Sequence, residues 1–339
     1  MQHDDLERIF SGSSILITGG TGSFGRTFVA KTLARFTPRR VVVYSRDEMK
    51  QWQMAARYRD ESRIRFFIGD VRDRARLSRA LDGIDYVVHA AALKIVPSAE
   101  YNPFEYVKTN VEGAMNVIDA AIDKGVKRVV ALSTDKACSP INLYGATKLV
   151  SDKLFVAGNA YAGGHDTRFA VVRYGNVMGS RGSIIPYFLS LPRNARFPIT
   201  HPDMTRFMVT LDQGVELVWH ALADMEGGEI YVKKIPSIKV VDIARAINPD
   251  AEHDIIGIRP GEKLHEQMIS VEDSQHTYEY DRFFKILPVI DEPRNSHRIK
   301  GGSKVEFGFS YASNTNTEWM SATALRQWIE AHRDMFQSL

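Results

Sequence analysis

Short runs of Val, Ile and other apolar residues recur through the first half of the chain, separated by stretches with helical spacing. The runs predict strands at Ser14–Thr18, Arg40–Tyr44, Ile64–Ile68, Tyr86–His89, Arg128–Leu132 and Arg168–Arg173. Each is nearly continuous in apolar residues, as in a parallel sheet covered on both faces. Helical spacing over Gly25–Arg35, Val111–Lys124 and Tyr144–Asn159 supplies the covers. Such a βαβ rhythm predicts an α/β fold, a doubly wound parallel sheet with its ligand crevice at the carboxyl ends of the strands.

After Val177 the rhythm loosens. Pro186, Pro192, Pro198 and Pro202 predict loops, and Thr210 with Gln213 predicts a capping box that opens a helix. A strand at Ile230–Val232, a helix at Val240–Ile247 and a strand at Ile255–Ile258 follow. Pro288–Gly308 reads as a long loop and Ala322–Met335 as a helix, while the first dozen residues look extra to the pattern. The chain thus divides into residues 1–176, mainly the doubly wound domain, and residues 177–339, mainly a smaller C-terminal cap with a return to the main sheet.

The 339 residues are 44% hydrophobic and 25% charged, which suits a globular protein with a real core. Net charge is +3 with both signs interleaved, and the densest basic cluster is Arg39-Arg40. Neither nucleic acid nor a membrane surface is the expected partner, whereas a small anionic substrate fits. The single cysteine, Cys138, forbids an intramolecular disulfide and points to a reducing compartment. With no apolar leader behind Met-Gln-His-Asp-Asp and no run near the ~20 apolar residues of a membrane span, a cytoplasmic location is expected. The ten histidines are scattered without metal-ligand spacing, so no metal is expected.

The first strand runs into Gly19-Gly20-Thr21-Gly22-Ser23-Phe24-Gly25, and a helix follows. The spacing of Gly19, Gly22 and Gly25 lets the backbone turn tightly and approach a pyrophosphate seated on the helix N-terminus. In a βαβ chain this is a Rossmann-type dinucleotide fingerprint. The second strand ends at Tyr44-Ser45-Arg46-Asp47. Ser45 and Arg46 favour the 2′-phosphate of NADP, while Asp47 one residue later keeps NAD open. After the third strand, Asp70, followed by Val71, either accepts from the adenine amino group or N-caps the next helix. Ala90, Ala91 and Ala92 end the fourth strand with side chains small enough for a cofactor to lie against.

The fifth strand delivers Ser133-Thr134-Asp135-Lys136, and Tyr144 and Lys148 follow at i, i+4 on one helical face. A nearby ammonium and a cationic nicotinamide would lower the tyrosine pKa and make a phenolate base, with Thr134 on the same substrate oxygen. Together with the glycine fingerprint, these residues resemble the extended short-chain dehydrogenases. Ser133-Thr134-Asp135-Lys136-Ala137 with Pro140-Ile141-Asn142-Leu143-Tyr144-Gly145-Ala146-Thr147-Lys148 is similar to the inverting UDP-N-acetylglucosamine 4,6-dehydratases of pseudaminic acid biosynthesis. Ala91-Ala92-Leu93-Lys94, Arg259-Pro260-Gly261-Glu262-Lys263 and Asn314-Thr315-Asn316-Thr317-Glu318-Trp319 carry the same resemblance, which spans nearly the whole chain. Cys138-Ser139 departs from the family's usual Ala-Asn. Cys138 has no histidine partner near it in sequence and reads as a small filler.

The resemblance implies a mechanism and a substrate side. Tyr144 removes the C4 hydroxyl proton as hydride leaves C4, Lys136 removes the C5 proton, and Asp135, protonated, donates to the departing C6 hydroxyl. The hydride returns to C6, and Lys136 delivers a proton to C5 from the opposite face. The product implied is UDP-2-acetamido-2,6-dideoxy-β-L-arabino-hex-4-ulose. Asn176 and Arg259 would contact phosphates and Glu262 the uridine ribose. Arg181, Thr200 and Arg206 are further candidates near the nucleotide, and Lys94 would touch sugar or cofactor. The family is usually oligomeric, so a homo-oligomer is expected. Two alternatives stand beside this reading: a retaining UDP-sugar 4,6-dehydratase or 4-epimerase, and a non-catalytic dinucleotide-binding regulator. Lys136 argues against the first, and intact Thr134, Tyr144 and Lys148 against the second.

Overall fold

The computed structural model describes residues 3–180, 182–192, 194–289 and 296–337. Six strands, β1 (Ser14–Thr18), β2 (Arg40–Ser45), β3 (Ile64–Ile68), β4 (Tyr86–His89), β5 (Arg128–Thr134) and β6 (Arg168–Tyr174), occupy the apolar runs of the first half. They lie parallel in the order β3-β2-β1-β4-β5-β6, and the strand Ile230–Lys233 continues the parallel set beyond β6. Chain order reverses between β1 and β4, so the crevice opens above their carboxyl ends. Every residue of β1 and β4 is buried, which explains their unbroken apolar character.

Beyond Ile230–Lys233 the sheet turns antiparallel through Phe283–Ile286, Thr277–Glu279 and Ser303–Lys304, making ten strands in all. The main core draws on both halves of the chain: Phe207, Trp219, Tyr231, Phe284 and Tyr311 pack with the apolar residues of β1 to β6. A second core holds Ile185, Phe188, Phe197, Ile199, Met204, Ile238, Ile243 and Leu325. Beside it Asn176–Val177, Thr205–Val209 and Ser237–Lys239 form a three-stranded sheet.

Thr210 accepts from the Gln213 amide while the Gln213 side chain accepts from Thr210 N, so the expected capping box is formed. Several expectations are corrected. The proline-rich stretch is not all loop. Pro186 sits in the first turn of a helix, Ile184–Leu189, where a missing N–H costs little, and Pro198 sits in a two-stranded pair, Phe197–Ile199 with His253–Ile255. The strand expected at Ile255–Ile258 is therefore His253–Ile255, cut short by Gly257 at φ +84°. Within Pro288–Gly308 lie a short helix, Ser296–Ile299, and the edge strand Ser303–Lys304; residues 290–295 fall outside the described residues. The last helix stops at Ala331, and a separate turn, Asp334–Gln337, follows. Among the described residues no helix is long and apolar enough to cross a membrane.

The residues that looked extra also have a place. His3–Phe10 is a helix whose Phe10, 0% exposed, stacks on Phe36 at 4.7 Å and meets the edge of Trp219 at 6.2 Å. Trp219 in turn donates to Thr32 Oγ1 at 3.1 Å. Because Phe10 leads into β1 and Phe36 into β2, the cluster lies at the end of the sheet opposite the crevice. Phe10→Ala should cost about 3–5 kcal/mol, as for other buried phenylalanines, read as a lower urea midpoint with the activity of the folded fraction unchanged.

Candidate active site

The crevice above β1 and β4, about 820 Å3, is shaped by close backbone approach. Gly19 stands at φ +66°, and a Cβ there would lie 2.9 Å from Ala91 Cα. A Cβ on Gly25 would lie 2.5 Å from the Gly20 backbone. Gly22 precedes the helix Ser23–Arg35 with no side-chain cap, so the first-turn amides face the crevice with the positive end of the helix behind them. Thr21, Ser23 and Phe24 line the same wall, and the Phe24 ring stacks with Tyr174 at 6.4 Å.

At the end of β2, Ser45 Oγ accepts from Thr21 Oγ1 at 3.2 Å and from Gln51 Nε2 at 3.1 Å. Arg46 is exposed, and its Nη1 lies 3.4 Å from Asp70 Oδ2. Asp47 caps the helix Glu48–Arg57 by accepting from Lys50 N at 2.9 Å, and it also pairs with the Lys50 ammonium. These Lys50 hydrogen bonds hold the Asp47 carboxyl below its ordinary range. Asp70 is not the N-cap of the following helix, Arg74–Ala80; that role belongs to Asp73, whose side chain accepts from Arg76 N. Asp70 instead turns the loop by accepting from Arg72 N at 3.0 Å, and the buried Val71 is tied through its carbonyl to Asn116.

Thr18 Oγ1 accepts from the amides of Ala90 and Ala91 and lies 2.8 Å from His89 Nδ1, so its own proton is left for that nitrogen. Burial, with the Lys148 charge, depresses the His89 pKa to about 3 and keeps the imidazole neutral.

β5 runs two residues past its apolar stretch and so carries Ser133 and Thr134 to the crevice floor. The Thr134 hydroxyl donates to Asp135 Oδ1 at 2.9 Å. Lys136 Nζ lies 3.0 Å from Asp135 Oδ1, 3.0 Å from Glu266 Oε1 and 3.5 Å from Asn176 Oδ1. Asp135 is 0% exposed and Glu266 2% exposed, and the second oxygen of each is buried without a hydrogen-bond partner among the described residues. Burial raises the Asp135 pKa against the pull of Lys136. Glu266 is held below its ordinary range, because Lys136 and Arg206 outweigh its burial. Lys136 itself is raised: the two carboxylates overcome its desolvation.

The helix Leu143–Tyr161 presents Tyr144 and Lys148, with Asn142 as N-cap to Gly145 N. The expected lowering of the Tyr144 pKa is not found. Burial pushes it up to about 12, although Lys136 and the Thr134 hydroxyl pull the other way. Lys148 Nζ donates to the Leu132 carbonyl at 2.8 Å instead of to the phenol, and burial lowers its pKa against the pull of Asp152. Cys138 is buried with its thiol pushed up to about 11, the state of a packing residue.

A second cavity, about 1110 Å3, opens from Lys136 toward the second core and is lined by Asn176, Thr200, Arg206, Arg259 and Glu262. Arg206 is buried; it donates to the Thr205 carbonyl at 2.7 Å and pairs with Glu262 at 3.4 Å. Glu262 Oε2 has no partner among the described residues. Thr200 is buried with its hydroxyl on Met204 Sδ, and Arg259 is exposed where the two cavities meet. Lys94 lines the dinucleotide crevice with its pKa lowered by loss of solvent and by the Lys136 charge. Arg181 lies outside the described residues.

The reading from sequence missed three residues. Glu266 meets Lys136, and Asp152 joins Ser133 at 2.8 Å to Arg173 at 3.2 Å beneath the site. Asp152 carried a local signal, i+4 from Lys148. Glu266 carried none, since only the fold brings it to β5. Among the described residues no cluster of side chains could hold a metal ion.

The profile of a family described as "Polysaccharide biosynthesis protein" matches residues 15–288. The chain belongs to this polysaccharide biosynthesis protein family. An inverting UDP-N-acetylglucosamine 4,6-dehydratase of Campylobacter jejuni is 52% identical over 325 residues, 94% of this chain and 97% of that protein. Among solved structures, Pen of Bacillus thuringiensis superposes with a TM-score of 0.87 at 36% identity, over 96% of this chain and 98% of that one. A dTDP-glucose 4,6-dehydratase of Streptomyces venezuelae with NAD bound gives 0.66 at 26% identity, over 74% and 86%. The polysaccharide biosynthesis protein family thus accounts for the doubly wound sheet and for the crevice above it.

The burial of His89 sets a pH dependence. The folded pKa of His89 lies below its ordinary 6.5, so the stability it contributes is full above pH 6.5 and is lost as pH falls toward about 3. His89→Gln, which cannot gain that proton, should lose less stability than the native protein between pH 6 and 4, followed by urea midpoints across that range.

Proposed function

We propose that the chain is an NADP-dependent inverting UDP-N-acetylglucosamine 4,6-dehydratase that forms UDP-2-acetamido-2,6-dideoxy-β-L-arabino-hex-4-ulose. The observation that carries this reading is the Asp135–Lys136 pair at the end of β5, because a buried carboxyl beside an amine supplies the acid and the base of an elimination. The likeness to the Campylobacter jejuni dehydratase supports the same substrate.

The cofactor is a nicotinamide dinucleotide. The glycine cradle fits a diphosphate, since a Cβ at Gly19 or Gly25 would collide with the backbone that forms it. NADP is favoured over NAD because Asp47 is already engaged by Lys50, whereas exposed Arg46 has one long contact to Asp70 and is available to a 2′-phosphate. Held in that cradle, such a dinucleotide would supply a hydride acceptor and donor and positive charge beside the phenol. Tyr144 takes the C4 hydroxyl proton, with Thr134 holding the same oxygen and Lys148 supporting the pair. Lys136 takes the C5 proton once the C4 ketone has made it acidic, and Asp135 gives its proton to the departing C6 hydroxyl.

Residues 1–176 mainly hold the dinucleotide and 177–339 mainly the UDP-sugar. Arg259 and Asn176 face the phosphates, Glu262 offers its free oxygen to the ribose, and Arg206 holds Glu262 in place. The motif resemblance extends the reading to pseudaminic acid biosynthesis, a cytoplasmic location and a homo-oligomer.

Arg46→Ala should weaken NADP about 10–100-fold, the worth of a charge-assisted bond, and leave NAD nearly unchanged in a binding titration. Equal loss for both would remove Arg46 from phosphate recognition. In deuterium oxide the native enzyme should convert UDP-N-acetylglucosamine to a product carrying deuterium at C5 with inverted-ring couplings by NMR. Lys136→Ala should oxidise C4, seen as nicotinamide absorbance in a single turnover, and stop there. A D-xylo product from the outset would make this a retaining enzyme, and full dehydration by the alanine variant would give the base role to another group.

A further inference from the structure

A half-buried ammonium, such as Lys136 with 22% of its side chain exposed, needs only one carboxylate as its counter-ion. Lys136 has two at equal distance, Asp135 Oδ1 and Glu266 Oε1, each 3.0 Å away. Both carboxylates lie out of solvent, and each ends in an oxygen with no hydrogen-bond partner among the described residues. Three charges in so little solvent carry a heavy desolvation cost, so a second carboxylate with only a structural purpose would be a poor arrangement. The other charges facing the cluster are Arg206, whose Nε is 3.8 Å from Glu266, Lys263 on the same side, Lys94 beside Lys136, and the Tyr144 phenol.

We propose that Glu266 is a positioning residue for the dehydration step: it serves as the counter-ion of Lys136 and leaves Asp135 free to hold the proton that the departing C6 hydroxyl needs. The inference rests on the dehydratase reading above. With Glu266 ionised, Asp135 protonated and Lys136 as ammonium, the three groups sum to zero charge. Without Glu266, Asp135 must itself ionise to balance Lys136, and the acid is lost. The elimination then balances as follows. Once Lys136, whose side chain is partly exposed, has given up one proton to water, its amine takes the C5 proton. The C5–H pair forms the C5=C6 bond as C6–O breaks, and the Asp135 proton leaves with the hydroxide as water. Lys136 ends as an ammonium facing Glu266, and Asp135 as a carboxylate.

The cluster makes a specific forecast for the pH profile. Glu266 raises the pKa of both Asp135 and Lys136, so removing its charge lowers both. In Glu266→Gln, the acid limb of the elimination rate, where Lys136 must be unprotonated, and the alkaline limb, where Asp135 must be protonated, should both move to lower pH. A full charge at this range is worth about 1–3 pH units. The measurement is single-turnover formation of the 4-keto-6-deoxy product from UDP-N-acetylglucosamine with the NADP-loaded enzyme, scored beside C4 oxidation in the same samples. C4 oxidation should stay within about threefold of native, and Glu266→Asp, which keeps the charge on a shorter arm, should move both limbs less. If Glu266→Gln does not fold, a shift in the same direction by Glu266→Asp supports the proposal. A slower elimination with both limbs unmoved in the folded variant overturns it. The dehydratase reading fails separately, if the native enzyme forms no 4-keto-6-deoxy product.

Discussion

The ammonium of Lys136 ties together parts of the chain that lie far apart in sequence. It rises from the end of β5, and the groups that meet it come from the second half of the chain: Asn176, and Glu266 with Arg206 behind it. Each would be expensive to bury alone, because a desolvated charge without a partner costs several kcal/mol. Their mutual neutralisation holds these distant segments against the end of β5. The cavity that runs from Lys136 toward Ile199 and Met204 is shaped by the same contact.

Proton chemistry and architecture are coupled at this point. Burial that raises the Asp135 carboxyl also raises the Tyr144 phenol, to about 12. The phenol therefore does not act as a base by its protein environment alone. The Lys136 charge and the Thr134 hydroxyl each pull it down, against its burial.

What could be read from the sequence was local. Unbroken apolar runs located β1 to β6, since a doubly covered parallel strand leaves no polar face to interrupt the pattern. The glycine triplet and the Tyr144–Lys148 spacing likewise lie within a few residues of one another. The parts that escaped depend on distance or on small elements. Glu266 reaches Lys136 across 130 positions of chain, so no window of sequence contains the pair. Phe10 looked dispensable because its partners, Phe36 and Trp219, are supplied by other helices and turns. Pro186 and Pro198 looked like breaks, yet each occupies a position where a missing N–H leaves no ladder bond unmade.

The way the sheet ends, among the described residues, has a consequence for association between molecules. One margin is Ser303–Lys304, two residues long, exposed and carrying a cation. At the other margin, β3, the Arg76 side chain reaches back to the Ile68 carbonyl at 2.8 Å and occupies an acceptor that a foreign strand would otherwise use. A template so short on one side and so obstructed on the other gives a neighbouring chain little to pair with.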